Sequence, residues 1–265
     1  MGDGTRACFG SPPQARQYQC RIFYIRPTAS GTLDRLMSDD SSSPHSYEPR
    51  FWPALDDEER QALASASVIR NFAGGGALFH EHQLADRVLV LRDGFVKVSA
   101  YTDNGREVVL GIRGPGDVLG ELSALDGQAR SATVIALESV QALAISTGSF
   151  NSFLESHPRV LRVLLQVLAG RLRDADRRRV EFAAKETMGR VASRIVELSE
   201  RFGAAAEGDI RIEFPLTQEE LAGWTACSRD SVVKALQSMR DLGWIETGRK
   251  RITVHDLPAV RRAAA

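Results

Sequence analysis

The sequence predicts an α+β chain: an N-terminal antiparallel β-roll of the jelly-roll kind, one long dimerisation helix, and a C-terminal winged helix-turn-helix. Three observations carry this. Short apolar runs punctuated by glycine fill residues 67–150, the pattern of strands closing into a barrel or jelly roll. An apolar rhythm with alternating steps of four and three follows, as along a helical seam. Two capped helices joined by a tight turn, then a basic hairpin, close the chain. The expected divisions are 1–50 as a disordered leader, 51–155 as the β-roll, 156–186 as the dimerisation helix and 187–265 as the winged module.

With 265 residues, 43% of them hydrophobic, the chain can bury a real core. It holds no run of 18 apolar residues, so no membrane partner is expected. Nor does it open on a basic-then-apolar secretory pattern. Cys8, Cys20 and Cys227 are scattered and odd in number, which argues for a reducing, cytoplasmic setting over a disulfide framework. The formal net charge is +0, so a nucleic-acid surface must be a local patch. Arg171, Arg173 and Arg177–Arg179 form one basic cluster, and Arg249–Arg251 with Lys250 a second. No metal-ligand motif, nucleophile elbow or Walker loop is present, and an enzyme is not expected.

Residues 1 to about 50 are rich in Ser, Pro, Gly and Asp, a composition that cannot support a core. Met37 opens a segment that reads as an ordinary start, so what precedes it is expected to be a dispensable leader. A helix is predicted over 52–66, capped by Asp56, with Leu55, Leu63 and Ala66 as its apolar face. Strands follow at 68–72, 88–91, 95–101 and 108–112, with Asp93-Gly94 and Asn104-Gly105 as hairpin turns and Gly114-Pro115-Gly116-Asp117 as another turn. Leu161, Leu165, Leu168, Leu172, Ala175, Arg179 and Phe182 then trace the seam. One barrel face could not cover a helix of some seven turns, so the seam is read as a homodimer contact. A second stripe, Met188, Val191, Ile195, Leu198 and Phe202, is expected to stop at Gly203 through a glycine cap. Ile210, Ile212 and Phe214 alternate as a strand ended by Pro215.

Thr217 and Glu220 have capping-box spacing, and the helix they open is expected to end near Gly223-Trp224. Ser228 caps the next helix, whose apolar side is Val232, Leu236 and Met239. Docked in a major groove, the first turn of this second helix points at base edges. Arg229 suits guanine O6 and N7, Asp230 suits the cytosine amino group, and Lys234 shares their exposed face. Thr217 and Ser231 stand at the two helix starts, and Arg249 and Lys250 in the hairpin turn suit phosphates. Taken alone, Arg229, Asp230 and Lys234 could equally be a solvated face with an intrahelical pair. The ordered set of elements favours double-stranded DNA.

Residues 221–245, with Cys227-Ser228-Arg229-Asp230, resemble the DNA-binding domain of the Crp/Fnr family of bacterial regulators. The resemblance implies DNA-contacting roles for Ser228, Arg229, Asp230 and Lys234. Asp stands where the best-known members hold Glu, and Lys where they hold Arg, which changes reach and fork geometry.

Upstream, Gly120-Glu121-Leu122 is followed by Arg130-Ser131-Ala132, with Glu121 and Arg130 nine residues apart. A phosphodiester anion calls for a guanidinium, backbone N–H groups and a hydroxyl, which Arg130, Ser131 and Ala132 offer. A ribose hydroxyl calls for a carboxylate, which Glu121 offers, and Gly120 permits close approach. The other reading is a structural ion pair between Glu121 and Arg130. This stretch looks like the phosphate-binding cassette of cyclic-nucleotide-binding domains, and the resemblance spans roughly 52–260. It implies a cyclic nucleotide, cyclic AMP or cyclic GMP, as allosteric effector, with RNA polymerase as a candidate partner.

Cyclic-AMP-activated members place adjacent Thr and Ser on the dimer helix. Counted back from Gly189-Arg190, these positions hold Ala175 and Asp176. Two readings of Asp176 stand. It accepts from a base, best from the guanine N1–H and amino edge, or it pairs along its helix with Arg173 or Arg179. Three cysteines do not supply an iron–sulfur ligand set, and His80 and His82 are read as ordinary strand-end histidines, so no metal or haem is expected.

Overall fold

The computed structural model describes residues 50–265 except 104, 106, 207, 214 and 215. All of the predicted leader but Arg50, including Cys8, Cys20 and Met37, lies outside the described residues, as do Asn104, Phe214 and Pro215.

A single 3-10 turn at Trp52–Ala54 precedes α1 (Asp57–Ser65). The predicted helix over 52–66 is therefore two pieces. Asp56 is its cap as expected, and Glu59 completes a capping box by returning to the Asp56 N–H. Leu55 and Leu63 are buried, but Ala66 is exposed beyond the helix end.

Eight strands follow: β1 (Val68–Phe72), β2 (Ala77–Phe79), β3 (Arg87–Asp93), β4 (Val96–Tyr101), β5 (Glu107–Arg113), β6 (Val118–Leu119), β7 (Thr133–Ala136) and β8 (Val140–Ser146). They pair antiparallel in two sheets, ordered β1-β8-β3-β6 and β2-β7-β4-β5. Non-consecutive neighbours in both sheets make this a jelly roll. Alternation along β3 shows how the layers are built. Leu89 and Leu91 fill the roll interior with Leu78, Phe79 and Val134. Val88 and Val90 face the other way, against Phe150, Phe153 and Leu164 of the helices. The four strands predicted in this region are present; the short strands β2, β6 and β7, the seven-residue β8 and the helix α2 (Glu121–Asp126) were beyond the pattern.

Helix α3 (Thr147–Ser156) leads through Pro158 at the first turn into α4 (Pro158–Ala184), 27 residues long. Val160, Val163, Leu164, Val167 and Gly170 bury one stripe of α4. Of the predicted seam, Leu161, Leu165, Leu172, Ala175, Arg179 and Phe182 are exposed on the single chain, whereas Leu168 is half-buried against the roll-side core. Among the described residues, no helix is long and apolar enough to cross a membrane.

The C-terminal part comprises α5 (Thr187–Phe202), β9 (Ala204–Ala206), β10 (Asp209–Glu213), α6 (Gln218–Thr225), α7 (Arg229–Asp241), β11 (Ile245–Gly248), β12 (Arg251–Val254) and α8 (Leu257–Ala264). Its sheet runs β11-β12-β10-β9. Gly203 ends α5 for a reason other than the predicted one. Its φ is −70°, and the chain leaves extended into β9. A Cβ there would sit 2.3 Å from the Ser199 carbonyl oxygen, so the glycine serves close approach instead of a left-handed cap. Helix α6 runs to Thr225, slightly past the expected stop, and Ala226 takes the left-handed turn at φ 53°.

Val109 and Ile112 of β5 belong to the same buried cluster as Val191, Ile195, Leu221, Trp224, Leu236 and Met239. The roll thus contributes side chains to the core of the helix-turn-helix.

Candidate functional site

Gly120 sits between β6 and α2 with φ +79°, a conformation open to glycine. A Cβ there would meet Arg130 Nη1 at 2.5 Å and the Phe79 ring at 3.1 Å. The close approach has a use, since the Gly120 carbonyl accepts from that Nη1 at 2.9 Å. Arg130 Nη2 donates to the Arg87 carbonyl at 2.5 Å and lies 3.5 Å from Asp86. Its guanidinium stacks over Phe79, 3.9 Å from the ring centroid. Burial draws the Arg130 pKa down and Asp86 opposes it; a guanidinium stays charged regardless.

Glu121 is as buried as Arg130, yet the two do not pair. Arg171 of α4 is the partner of Glu121, donating from Nη1 at 2.7 Å, and its Nη2 donates to the Val118 carbonyl at 2.8 Å. A buried carboxylate needs such a partner, and this one comes from the long helix.

A cavity of about 590 Å³ lies between this loop, the β4–β5 hairpin and α4. Gly120, Glu121, Leu122, Arg130, Ser131 and Ala132 all line it. Helix α4 supplies Arg171, Ala175 and Arg178. Among the described residues, the N–H groups of Ser131 and Ala132 make no hydrogen bond. Two free backbone donors beside a guanidinium fit an anionic phosphodiester. Asp176 is outside the lining and pairs with Arg179 at 3.1 Å, both side chains exposed.

In the C-terminal module, Thr217 Oγ1 accepts from the Glu220 N–H at 3.2 Å and Glu220 returns to the Thr217 N–H at 2.8 Å. Ser228 Oγ accepts from the Ser231 N–H at 3.2 Å, which fixes the start of α7. Val232, Ala235, Leu236 and Met239 bury the opposite face, so Arg229, Asp230 and Lys234 are presented outward. No ion pair joins these three among the described residues. Arg249 and Lys250 form the two-residue turn between β11 and β12, both exposed, with Lys250 at φ 57°.

The module rests on the hairpin through α6. Lys97 of β4, nearly buried, reaches Glu107 at 3.0 Å and Glu220 at 3.3 Å. Burial alone would lower the Lys97 pKa; the two carboxylates outweigh it and raise it. Gly223 lets the backbones close: a Cβ would meet Val109 Cγ2 at 3.3 Å. Burial, then Asp93, pushes the Glu138 pKa up, and Lys250 pulls it back.

Behind α6, Glu197 of α5 gathers Arg178 at 3.0 Å, Arg194 at 2.8 Å and Arg201 at 3.7 Å. Burial would push its carboxyl up, but Arg178, Arg194, Arg201 and Arg113 hold it down at about 2.

Sequence reasoning missed Arg171, Arg178, Lys97 and Glu197 as site neighbours. Arg171 and Arg178 were legible only as members of a basic cluster. Their spacing with Leu168, Ala175 and Phe182 places all five on one helical face, and that was the available signal. Lys97 and Glu197 meet partners far along the chain and carried no local sign.

Residues 69–157 match the model of the cyclic nucleotide-binding domain, and residues 189–263 that of the Crp-like helix-turn-helix domain. A CRP-like cAMP-activated global transcriptional regulator from Mycobacterium tuberculosis is 33% identical over 194 residues, covering 73% of this chain and 87% of the relative. A CRP-family transcriptional regulator from Thermus thermophilus superposes with a TM-score of 0.62 at 26% identity, over 74% of this chain and 96% of the other. FixK2 from Bradyrhizobium japonicum, at 20% identity, shares the fold with a TM-score of 0.68 over 75% of this chain and 98% of its own.

Proposed function

The chain belongs to the Crp/Fnr family of ligand-responsive, DNA-binding transcriptional regulators, and we propose that the effector of this member is a cyclic nucleotide, cyclic AMP or cyclic GMP, held in the cavity beside α4. The observation that carries this is the pairing of a buried, charged Arg130 with the unengaged N–H groups of Ser131 and Ala132 on one cavity wall. Arg130 would meet the phosphodiester, the two N–H groups and the Ser131 hydroxyl would complete its cradle, and Glu121 would accept from the ribose hydroxyl while keeping Arg171. Asp176, exposed on α4, would read the base of a nucleotide bound to the partner subunit.

Output is by double-stranded DNA binding. Ser228, Arg229, Asp230, Ser231 and Lys234 would face the major groove, and Thr217, Arg249 and Lys250 the phosphates. The exposed apolar stripe of α4 supports a homodimer, whose two modules would read half-sites about one DNA turn apart. RNA polymerase as partner and a cytoplasmic location belong to the same proposal.

A regulator whose roll takes another ligand, or none, is the rival. What favours it is Ala175, which offers no hydrogen bond to a base, and the Asp176–Arg179 pair. Calorimetric titration with cyclic AMP and cyclic GMP, with Arg130→Ala as control, decides between them. Binding that vanishes in the control supports the proposal, and silence from both nucleotides supports the rival.

A further inference from the structure

Arg178 stands where three parts of the molecule meet. It lines the cavity from α4. Its Nη1 donates to the Leu110 carbonyl on β5, and its Nη2 pairs with Glu197 on α5 at 3.0 Å. Its guanidinium also lies 6.0 Å from the ring centroid of Trp224 on α6.

Trp224 is fully buried, and among the described residues its indole N–H has no hydrogen-bond partner. No directional bond therefore sets the angle of this ring. Packing and the two guanidinium groups near it, Arg178 and Arg194 at 5.6 Å, hold it. Trp224 lies in α6, the helix just before the α7 that carries Arg229. Glu197 ties the same assembly back to the roll, since Arg201 bridges from Glu197 to Asp117 at 3.3 Å.

We propose that Arg178 is the positioning residue that passes occupancy of the cavity to the DNA-reading helices, because one guanidinium holds a cavity wall, Glu197 and the Trp224 ring together. This rests on the nucleotide reading of the cavity. A ligand seated against α4 and β5 changes the space open to Arg178. Displacement of its guanidinium disturbs the Leu110 and Glu197 contacts and, with them, the packing on Trp224. Arg194 shares Glu197 and Trp224 but does not line the cavity. A merely structural role predicts equal behaviour of the two arginines; a relay predicts that Arg178 alone couples.

Hydrogen–deuterium exchange on the full chain, with and without saturating cyclic AMP or cyclic GMP, separates the steps. Exchange at residues 120–132 reports binding, and exchange at residues 187–236 reports transmission. In the wild type both segments are expected to respond. With nucleotide raised until the first segment responds fully, the second response of Arg178→Gln falls by roughly tenfold; in Arg194→Gln both persist. Arg178→Lys, which keeps a charge for Glu197 but cannot hold three contacts, gives the same loss should the glutamine variant fold poorly. A full remote response in the Arg178 variants overturns the relay and leaves the nucleotide reading intact, as does a wild type that responds only at 120–132. A wild type silent at 120–132 refutes the nucleotide reading, and the relay falls with it.

Discussion

Arg171 donates to Glu121 at 2.7 Å across the gap between the long helix and the glycine-bounded loop, and both groups are largely withdrawn from water. Removing the cation alone leaves a buried carboxylate without its partner. Arg171→Leu is expected to cost roughly 3–5 kcal/mol of stability. Arg171→Leu combined with Glu121→Leu should recover a good part of that loss. Urea unfolding followed by circular dichroism measures both. Equal stability of the single and double variants would show that the pair is not what holds this contact.

Glu197 sets a pH dependence. Its carboxyl titrates at about 2 in the folded chain against an ordinary 4.5. On acidification the unfolded chain takes up this proton first, so the contribution is complete above about pH 5 and drains away toward pH 2. Its size is roughly 3 kcal/mol. Glu138 and Glu200, whose pKa values burial raises, work in the opposite direction, so the clean measure is a difference. The stability gap between the wild type and Glu197→Gln should narrow across that window in chemical denaturation at graded pH.

Arg229 and Lys250 are expected to fail differently on DNA. Arg229→Ala should cost about 1–3 kcal/mol on a duplex selected from a random pool by the wild type, and should relax preference at one base pair. Lys250→Ala should weaken all duplexes alike and reduce the salt slope of binding by about 1. Fluorescence anisotropy across a salt series distinguishes the two patterns.

Gly223 is where α6 rests on the hairpin. A leucine there would crowd Val109, already 3.3 Å from the position of a Cβ. Gly223→Leu should destabilise the chain by roughly 1–3 kcal/mol. Pairing it with Val109→Ala should return some of that loss. A double-mutant cycle in guanidinium measures this coupling, and additive effects would place the strain elsewhere.

Much of this architecture was readable from local chemistry. Asp56, Thr217 and Ser228 announced three helix starts because a cap is a short-range bond between neighbours in sequence. Gly120 and Arg130 were readable because they stand only 10 positions apart in sequence. Contacts made over long separations were not. Arg171 and Glu121 stand 50 residues apart, and Arg130 turned out to face Asp86, 44 residues away, instead of Glu121. The stop at Gly203 was anticipated for the wrong reason, since what demands glycine is crowding by the Ser199 carbonyl one turn back and by Ile210 from β10. Helix α8 (Leu257–Ala264) was missed although Asp256 caps it and Pro258 stands in its first turn, both of them local signs.

Val109 and Ile112 leave the roll to complete a core that otherwise belongs to the C-terminal helices. The two halves are consequently not interchangeable cassettes. A chimera that joins this reading head to a foreign sensor inherits a hole where β5 should plug in, and a truncated head exposes Trp224 and its neighbours to solvent. A change at Val109 is answerable to Gly223, and a change at Lys97 to Glu220, because each pair meets across one seam.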